Sequence, residues 1–488
     1  MEQELVGRDA ELKTLHEYFS SGRSEFIAVY GRRRVGKTFL IRKAAKDHFA
    51  FFMTGVHGVS KSEQLVNFSI ALQKYTHSSS LTTFKSWLLA FHALSQHLEK
   101  MPEGEKLVFI DELPWMDTAK SGFIPALENF WNSWAVLRND IKLIVCGSAT
   151  SWMINNLIRN RGGLHNRLTH HLIIKPFTLH ECEAYFRVNH FGYGRKQMAE
   201  CYMVMGGIPY YLSMMDRSKS LAQNVDQLFF ADNAELKDEF NDLYRALFKR
   251  SHDHVAVVTA LATKGIGMTR QELVKASGVT DNGAFSTVLE ELEQCGFIRL
   301  YEPFTTSNRP SADVRQKKNT LFQLVDFYTL FYFRFIKYNK YQDPHFWSSS
   351  QNSPMYHVWI GLSFELLCLN HVERIKQALG ISGVQALVCS WRSSQSEKGV
   401  QIDLLIDRKD ETVNICEMKF SNGPFEISKA YEEKLLEKVR VFAEESKTSK
   451  SLLLTLVTSC GLKPNKHSDV VQRQVTMDDL FGPSEPLR

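Results

Sequence analysis

The stretch EFIAVYGRRRVGKTFLIRKAAKD, residues 25–47, decides how the first part of this chain is read. FIAVY is a short apolar run of the kind buried in a parallel sheet. GRRRVGKT, residues 31–38, fits G-x-x-x-x-G-K-[ST], and FLIRKAAKD continues as a helix. Strand, glycine loop and helix together form the context that a phosphate-binding loop requires. Gly31 and Gly36 let the backbone curl so that the N–H groups of Arg32, Arg33, Arg34 and Val35 face an anion, and the helix N-terminus adds positive potential. In this reading Lys37 reaches the β- and γ-phosphates of ATP, and Thr38 offers a hydroxyl to Mg²⁺.

KLVFIDELPW, from residue 106, is a second apolar strand, and it ends in Asp111-Glu112. A carboxylate at the C-terminal end of a parallel strand lies beside the phosphate site. Asp111 is expected to hold Mg²⁺ through water and Glu112 to polarise the attacking water. LIVCGSAT, residues 143–150, is another buried strand, and it ends in Ser148. Ser148 reads equally as a γ-phosphate sensor and as the N-cap of the next helix.

With VGRDAEL (6–12), GRRRVGKT, FIDELPW, CGSATSWM and GGIPYYL (206–212), the first half of the chain resembles the archaeal-type P-loop ATPases, which are AAA-related and STAND-like. The resemblance implies that the box containing Val6 and Gly7 lies near base and sugar. It makes Arg167, in GGLHNRL, a nucleotide-responsive arginine, and Gly207-Ile208-Pro209 a sensor turn. The HNR sequence stands where relatives often have tyrosine–glycine–arginine. Relatives of such switches often form rings. No residue here marks an intersubunit arginine, so a homo-oligomer stays an open option.

The bulk properties set limits. A chain of 488 residues, 44% hydrophobic and 23% charged, is long enough for two to four globular domains. A net charge of +5 permits nucleic-acid binding without requiring it. The eight cysteines stand singly without zinc or redox spacing, which suits reduced thiols in a cytoplasmic protein. The first residues lack the apolar core of a signal peptide, and no apolar run is long enough for a membrane span.

A helical lid is expected over 178–245, after an ATPase core over 1–177. Residues 246–326 read as a winged helix. Thr269 caps one helix that Gly278 ends, Asp281 or Asn282 caps a second that Gly296 ends, and FIRLYEPF and NTLFQLVD supply the wing strands. The loop between them carries Arg309, Arg315, Lys317 and Lys318. Glu290, Glu291 and Glu293 on the second helix would repel phosphates, so an intramolecular clamp on the nucleotide is the favoured role, with the basic wing a candidate contact. LVDFYTLFYFRFI (324–336) reads as a helical packing segment.

In residues 327–488, WIGLSFELLCLNHVERIKQAL (359–379) is read as one amphipathic helix carrying Glu365. The strands VQIDLLIDR and TVNICEMKF follow as a hairpin. Side chains alternate along a strand, so Glu417 and Lys419 share one face while Met418 takes the other, and Asp403 lies within reach on the neighbouring strand. Two hard oxygen ligands suit Mg²⁺ or Mn²⁺, and the lysine can orient water or stabilise charge on a phosphodiester. Glu365 can complete the set.

The order of these elements resembles the PD-(D/E)XK nuclease fold, which is restriction-endonuclease-like. The resemblance makes Asp403 and Glu417 metal ligands, Lys419 the catalytic lysine and Glu365 the helix carboxylate. Ile402 stands where the usual proline would be. The whole chain is thus expected to be α/β: a P-loop parallel sheet with a helical lid, a winged helix and a nuclease-like C-terminal domain. The expected activity is ATP hydrolysis coupled to action on nucleic acid, most simply DNA, with no membrane partner. The rivals are a regulatory ATPase that binds DNA or protein without cutting, and a DNA-binding regulator that uses ATP as an effector.

Overall fold

The computed structural model describes residues 4–482 except 160–161, 165, 249–250, 265–266, 302–303, 305–319, 340–341 and 394–398. The chain forms two compact units. One contains the residues up to 176 together with Ile208–Ser213, and the other contains Phe177–Gly207 and the residues from Met214 onward.

The first unit is built on a five-stranded parallel sheet of β1 (Glu25–Tyr30), β2 (Phe51–Thr54), β3 (Lys106–Asp111), β4 (Ile141–Gly147) and β5 (His170–Ile173), in the order β2-β3-β4-β1-β5. β1 and β4 are buried along their whole length, as expected for strands covered on both faces. The helices Lys61–Thr76, Trp87–Lys100 and Phe123–Ser133 bury an aromatic core against one face. Because β4 is inserted between β1 and β3, the segment after β4 lies between the loop after β1 and the carboxylates that end β3.

In the second unit, helices Leu179–Val188, Arg195–Met205, Leu221–Phe229 and Glu239–Leu247 come first. Helices Ser251–Lys264, Arg270–Ser277 and Gly283–Gln294 follow, and then an antiparallel pair, β6 (Ile298–Tyr301) and β7 (Leu321–Leu324). Thr269 caps its helix in a reciprocal capping box with Glu272, and Gly278 closes it at φ 71°. Asn282 is the cap of the next helix, while Asp281 is held by Arg270 at 2.7 Å. The basic residues Arg309, Arg315, Lys317 and Lys318 lie outside the described residues.

The aromatic segment begins as strand, since Leu324 closes β7; its helix is Phe327–Arg334. The helix carrying Glu365 also differs from expectation. It starts earlier, at Pro354, and breaks at His371, with a second helix over Val372–Ala378. The buried His371 ring explains the break. Its Nδ1 donates to Leu367 O at 2.8 Å, and its Nε2 accepts the Leu179 N–H at 3.1 Å.

A second five-stranded sheet follows, of β8 (Ala386–Arg392), β9 (Gln401–Arg408), β10 (Thr412–Lys419), β11 (Ser451–Thr458) and β12 (Arg473–Thr476), in the order β12-β11-β10-β9-β8. β8, β9 and β10 are antiparallel neighbours, whereas β10, β11 and β12 run parallel. Helix Lys429–Ser446 connects β10 to β11, as a parallel pair requires.

Burial and the hydrogen bond from Leu179 favour a neutral His371, whose pKa falls to about 4. A base depressed in the folded state stabilises the fold above its unfolded pKa, about 6.5, and that stability is lost as pH falls toward 4. Urea unfolding should therefore show about 2 kcal/mol lost between pH 7 and pH 5 that His371→Gln does not lose. Equal pH slopes in the two proteins would show that His371 is not the group responsible.

Candidate functional site

The loop after β1 turns sharply at Gly31, where an added Cβ would lie 2.2 Å from the Ile174 carbonyl oxygen. Only glycine fits that close approach. Arg34 and Gly36 adopt left-handed conformations, at φ 71° and 87°, and helix Lys37–Ala44 begins immediately after. Arg32 and Val35 are buried; Arg33 is half-buried. Lys37 is also buried, and its Nζ donates to the carbonyl oxygens of Gly31 (3.0 Å) and Arg32 (2.9 Å). A buried ammonium matched only with neutral carbonyls among the described residues is costly to maintain, and an anion is the partner it suits.

Thr38 Oγ1 donates to Asp111 Oδ2 at 2.8 Å. A hydroxyl and a carboxylate brought together beside the loop are the hard oxygen donors that Mg²⁺ takes, so the residues present fit a magnesium–triphosphate ligand. Glu112 stands at φ 47°, a strained conformation for a residue with a side chain. Its carboxylate accepts the Ser148 N–H at 3.2 Å and the Ser148 hydroxyl at 2.9 Å. Ser148 is not a helix cap: Ala149 occupies that position, before Thr150–Met153. The serine after the inserted strand instead holds the glutamate.

Two contacts were missed in the sequence. Arg8, inside the box with Val6 and Gly7, is buried and donates to Lys175 O (2.6 Å) and Val35 O (3.3 Å), tying that box to the glycine loop. The guanidinium of Arg34 lies 4.5 Å from the Tyr210 ring centre, and the Tyr210 N–H donates to Arg34 O at 3.4 Å. The turn beginning at Gly207 therefore reaches the loop through Tyr210. Arg167 is exposed in a turn, where its backbone N–H donates to Leu164 O at 3.1 Å.

The second group of candidate residues lies on the C-terminal sheet. β9 and β10 pair Leu404 with Cys416, so the next position of that register sets Asp403 opposite Glu417. Glu417 Oε1 accepts from Tyr431 Oη (2.9 Å) and pairs with Lys419 Nζ (3.1 Å); its Oε2 accepts from Lys438 Nζ at 2.7 Å. Burial opposes ionisation of Glu417, but the two ammonium groups overcome it and hold its pKa below the usual range. Asp403 accepts from Gln401 Nε2 at 2.6 Å, and burial raises its pKa.

Glu365 reaches this group from helix Pro354–Asn370, which packs on β10. Burial first, then the charge of Asp403, pushes its pKa to about 8. Among the described residues no three His, Cys, Asp or Glu side chains gather as a metal cluster. The register instead sets Asp403 and Glu417 as a facing pair, with Glu365 nearby and protonated at neutral pH. Tyr431 and Lys438 were not anticipated. Their signal was a face of one helix on which Tyr431, Leu435, Lys438 and Phe442 recur at helical spacing, with Leu435 and Phe442 buried.

Residues 5–215 match the family model of an ATPase domain predominantly from Archaea, which assigns that part of the chain to an ATP-hydrolysing domain. The chain is 26% identical over 336 residues to an uncharacterised protein of Methanocaldococcus jannaschii, covering 68% of this chain and 69% of that protein. Among solved structures it is similar to the Walker-type ATPase of Pyrococcus abyssi (16% identity, 68% of this chain and 96% of that one, TM-score 0.48). It is also similar to the ORC2 protein of Aeropyrum pernix in ADPNP–ADP complexes (16% identity, 68% and 93%, TM-score 0.39). Neither likeness reaches a TM-score of 0.5, and the site rests on its own geometry. No helix among the described residues is long and apolar enough to cross a membrane.

Replacing Lys37 with alanine should abolish ATP binding in a filter assay. Glu112→Gln should leave binding intact and slow steady-state hydrolysis by about 10²-fold or more. A Glu112→Gln protein that loses affinity at unchanged turnover would place Glu112 in binding rather than in water activation.

Proposed function

We propose that this chain is an ATP-driven switch whose C-terminal sheet performs metal-dependent phosphodiester hydrolysis on nucleic acid, most simply DNA. The observation that carries this reading is the convergence of Asp403, Glu417 and Lys419 at adjoining ends of β9 and β10, with Glu365 close enough to feel their charges. Two carboxylates would hold Mg²⁺ or Mn²⁺, and Lys419 would stabilise charge on the phosphate. In this reading the C-terminal sheet with its flanking helices is a PD-(D/E)XK nuclease-like domain.

Helices Ser251–Lys264, Arg270–Ser277 and Gly283–Gln294 with the β6–β7 pair are proposed as a winged helix. Glu291 of its second motif helix is occupied by His254 at 2.7 Å, which supports an internal, clamping role over a groove-reading one. In the first unit, Lys37 and Thr38 would hold ATP and Mg²⁺ with Asp111, Glu112 would activate water, and Arg167 is kept as the candidate nucleotide-responsive arginine. The contact between Arg34 and Tyr210 supports coupling, because the chain enters the second unit immediately after Ser213.

One observation favours the rival reading. Glu417 is already paired with two lysines, and if that pairing persists the domain binds nucleic acid or protein without cutting. A cleavage assay with single- and double-stranded DNA and RNA, Mg²⁺ or Mn²⁺, with and without ATP, separates the two. Cutting that disappears in Lys419→Ala and Asp403→Asn, and that loses its response to ATP in Lys37→Ala, is the expected result. ATP turnover with no cutting of any substrate under either metal would leave the regulatory ATPase standing.

A further inference from the structure

β8 changes register part-way along β9. Ala386 faces Arg408 and Cys389 faces Leu405, but an irregularity between Cys389 and Trp391 leaves Arg392 facing Gln401. Without that bulge the same register would set Arg392 opposite Ile402, which is buried in the core on the other face of the sheet. Residues opposite one another on neighbouring strands share a face, and so do residues two apart along one strand. The bulge therefore turns Arg392 to the face that carries Gln401 and Asp403. Bulges beside functional sites commonly re-aim a side chain in this way.

The side chains complete a chain of contacts. Arg392 Nη2 donates to Gln401 Oε1 at 3.2 Å, and Gln401 Nε2 donates to Asp403 Oδ1 at 2.6 Å. A guanidinium can only donate, so it fixes which way round the Gln401 amide lies and leaves the NH₂ end for the carboxylate. Arg392 is itself anchored: Nη2 also donates to Gly267 O at 3.2 Å, and Nη1 lies 3.7 Å from Glu272 Oε1. Glu272 is held in turn by Lys264 at 2.7 Å and by its capping box with Thr269. The anchor thus lies on helices Ser251–Lys264 and Arg270–Ser277 and on Gly267 between them.

We propose that Gln401 and Arg392 are positioning residues for Asp403, holding its carboxylate in one orientation for a divalent metal ion. The inference rests on the reading of Asp403 as a metal ligand. Groups that hydrogen-bond a metal's ligands without touching the ion set the orientation of those ligands, and removing one typically lowers metal affinity about 10- to 100-fold. Gln401 acts on Asp403 directly, whereas Arg392 acts only through Gln401. Removing Arg392 frees the amide to turn its carbonyl oxygen toward the carboxylate, where two acceptors repel.

The test is Mn²⁺ calorimetry on full-length protein carrying Asp111→Asn, which removes the carboxylate donor beside the glycine loop. Gln401→Met keeps the side chain's length without its amide and should weaken binding by about tenfold or more. Arg392→Met should weaken it as well, but should cost nothing further when added to Gln401→Met, because its route to Asp403 is already gone. Arg392→Lys retains a donor for the amide oxygen and should recover most of the loss. Thermal unfolding without metal checks that each variant folds, and Arg392→Lys keeps the test valid if Arg392→Met does not. Binding that needs Asp403 but that Gln401→Met and Arg392→Met leave unchanged, or losses that add in the double variant, would overturn the positioning role and leave the metal site standing. No Mn²⁺ binding before these substitutions, or binding that survives Asp403→Asn, would instead remove the metal reading on which the proposal rests.

Discussion

The ammonium of Lys37 is buried at the head of β1 with the carbonyl oxygens of Gly31 and Arg32 as its acceptors. That arrangement requires a strand buried on both faces, a glycine at the one position where Ile174 leaves no space for a side chain, and a helix that starts within one residue of the loop. A cation kept out of water without a carboxylate is an unfavourable state that an anion relieves. The parallel sheet, the N-terminal box held by Arg8 and the Tyr210 contact with Arg34 all serve to keep that loop in shape.

The same physical rule shapes the C-terminal sheet with the signs exchanged. There the buried groups are carboxylates at the ends of β9 and β10, and the protein supplies Lys419, Lys438, Tyr431 and Gln401 as partners. Glu417 is kept ionised by its two lysines, whereas burial and its neighbours leave Glu365 protonated at neutral pH. A divalent cation would have to displace part of this pairing. Glu112 in the first unit is restrained in a comparable way by Ser148, so each of the two candidate sites holds a carboxylate in a polar contact inside the protein.

How much of this was legible in the sequence depended on how local each feature is. The glycine loop and the paired carboxylates after β3 are short motifs whose chemistry is contained in a few adjacent residues. The sharing of a face by Glu417 and Lys419 follows from strand alternation alone. The contact of Ser148 with Glu112 was not readable as such, because it arises from β4 lying between β1 and β3. Lys438 and Tyr431 lie on a helix whose apolar spacing marks a buried face, but only tertiary packing turns that face toward Glu417. The break at His371 depends on a hydrogen bond from Leu179, nearly two hundred residues earlier, which no local pattern records.

The central claim for the second unit is that Asp403 and Glu417 form a divalent-metal site against which Lys438 competes. Mn²⁺ titration by calorimetry on the Asp111→Asn protein, which removes the carboxylate donor beside the glycine loop, tests this without relying on any nucleic-acid substrate. The account predicts saturable Mn²⁺ binding that Asp403→Asn abolishes and Lys438→Met strengthens. Binding of equal affinity in the Asp403→Asn protein, or no binding in any of the three, would contradict it.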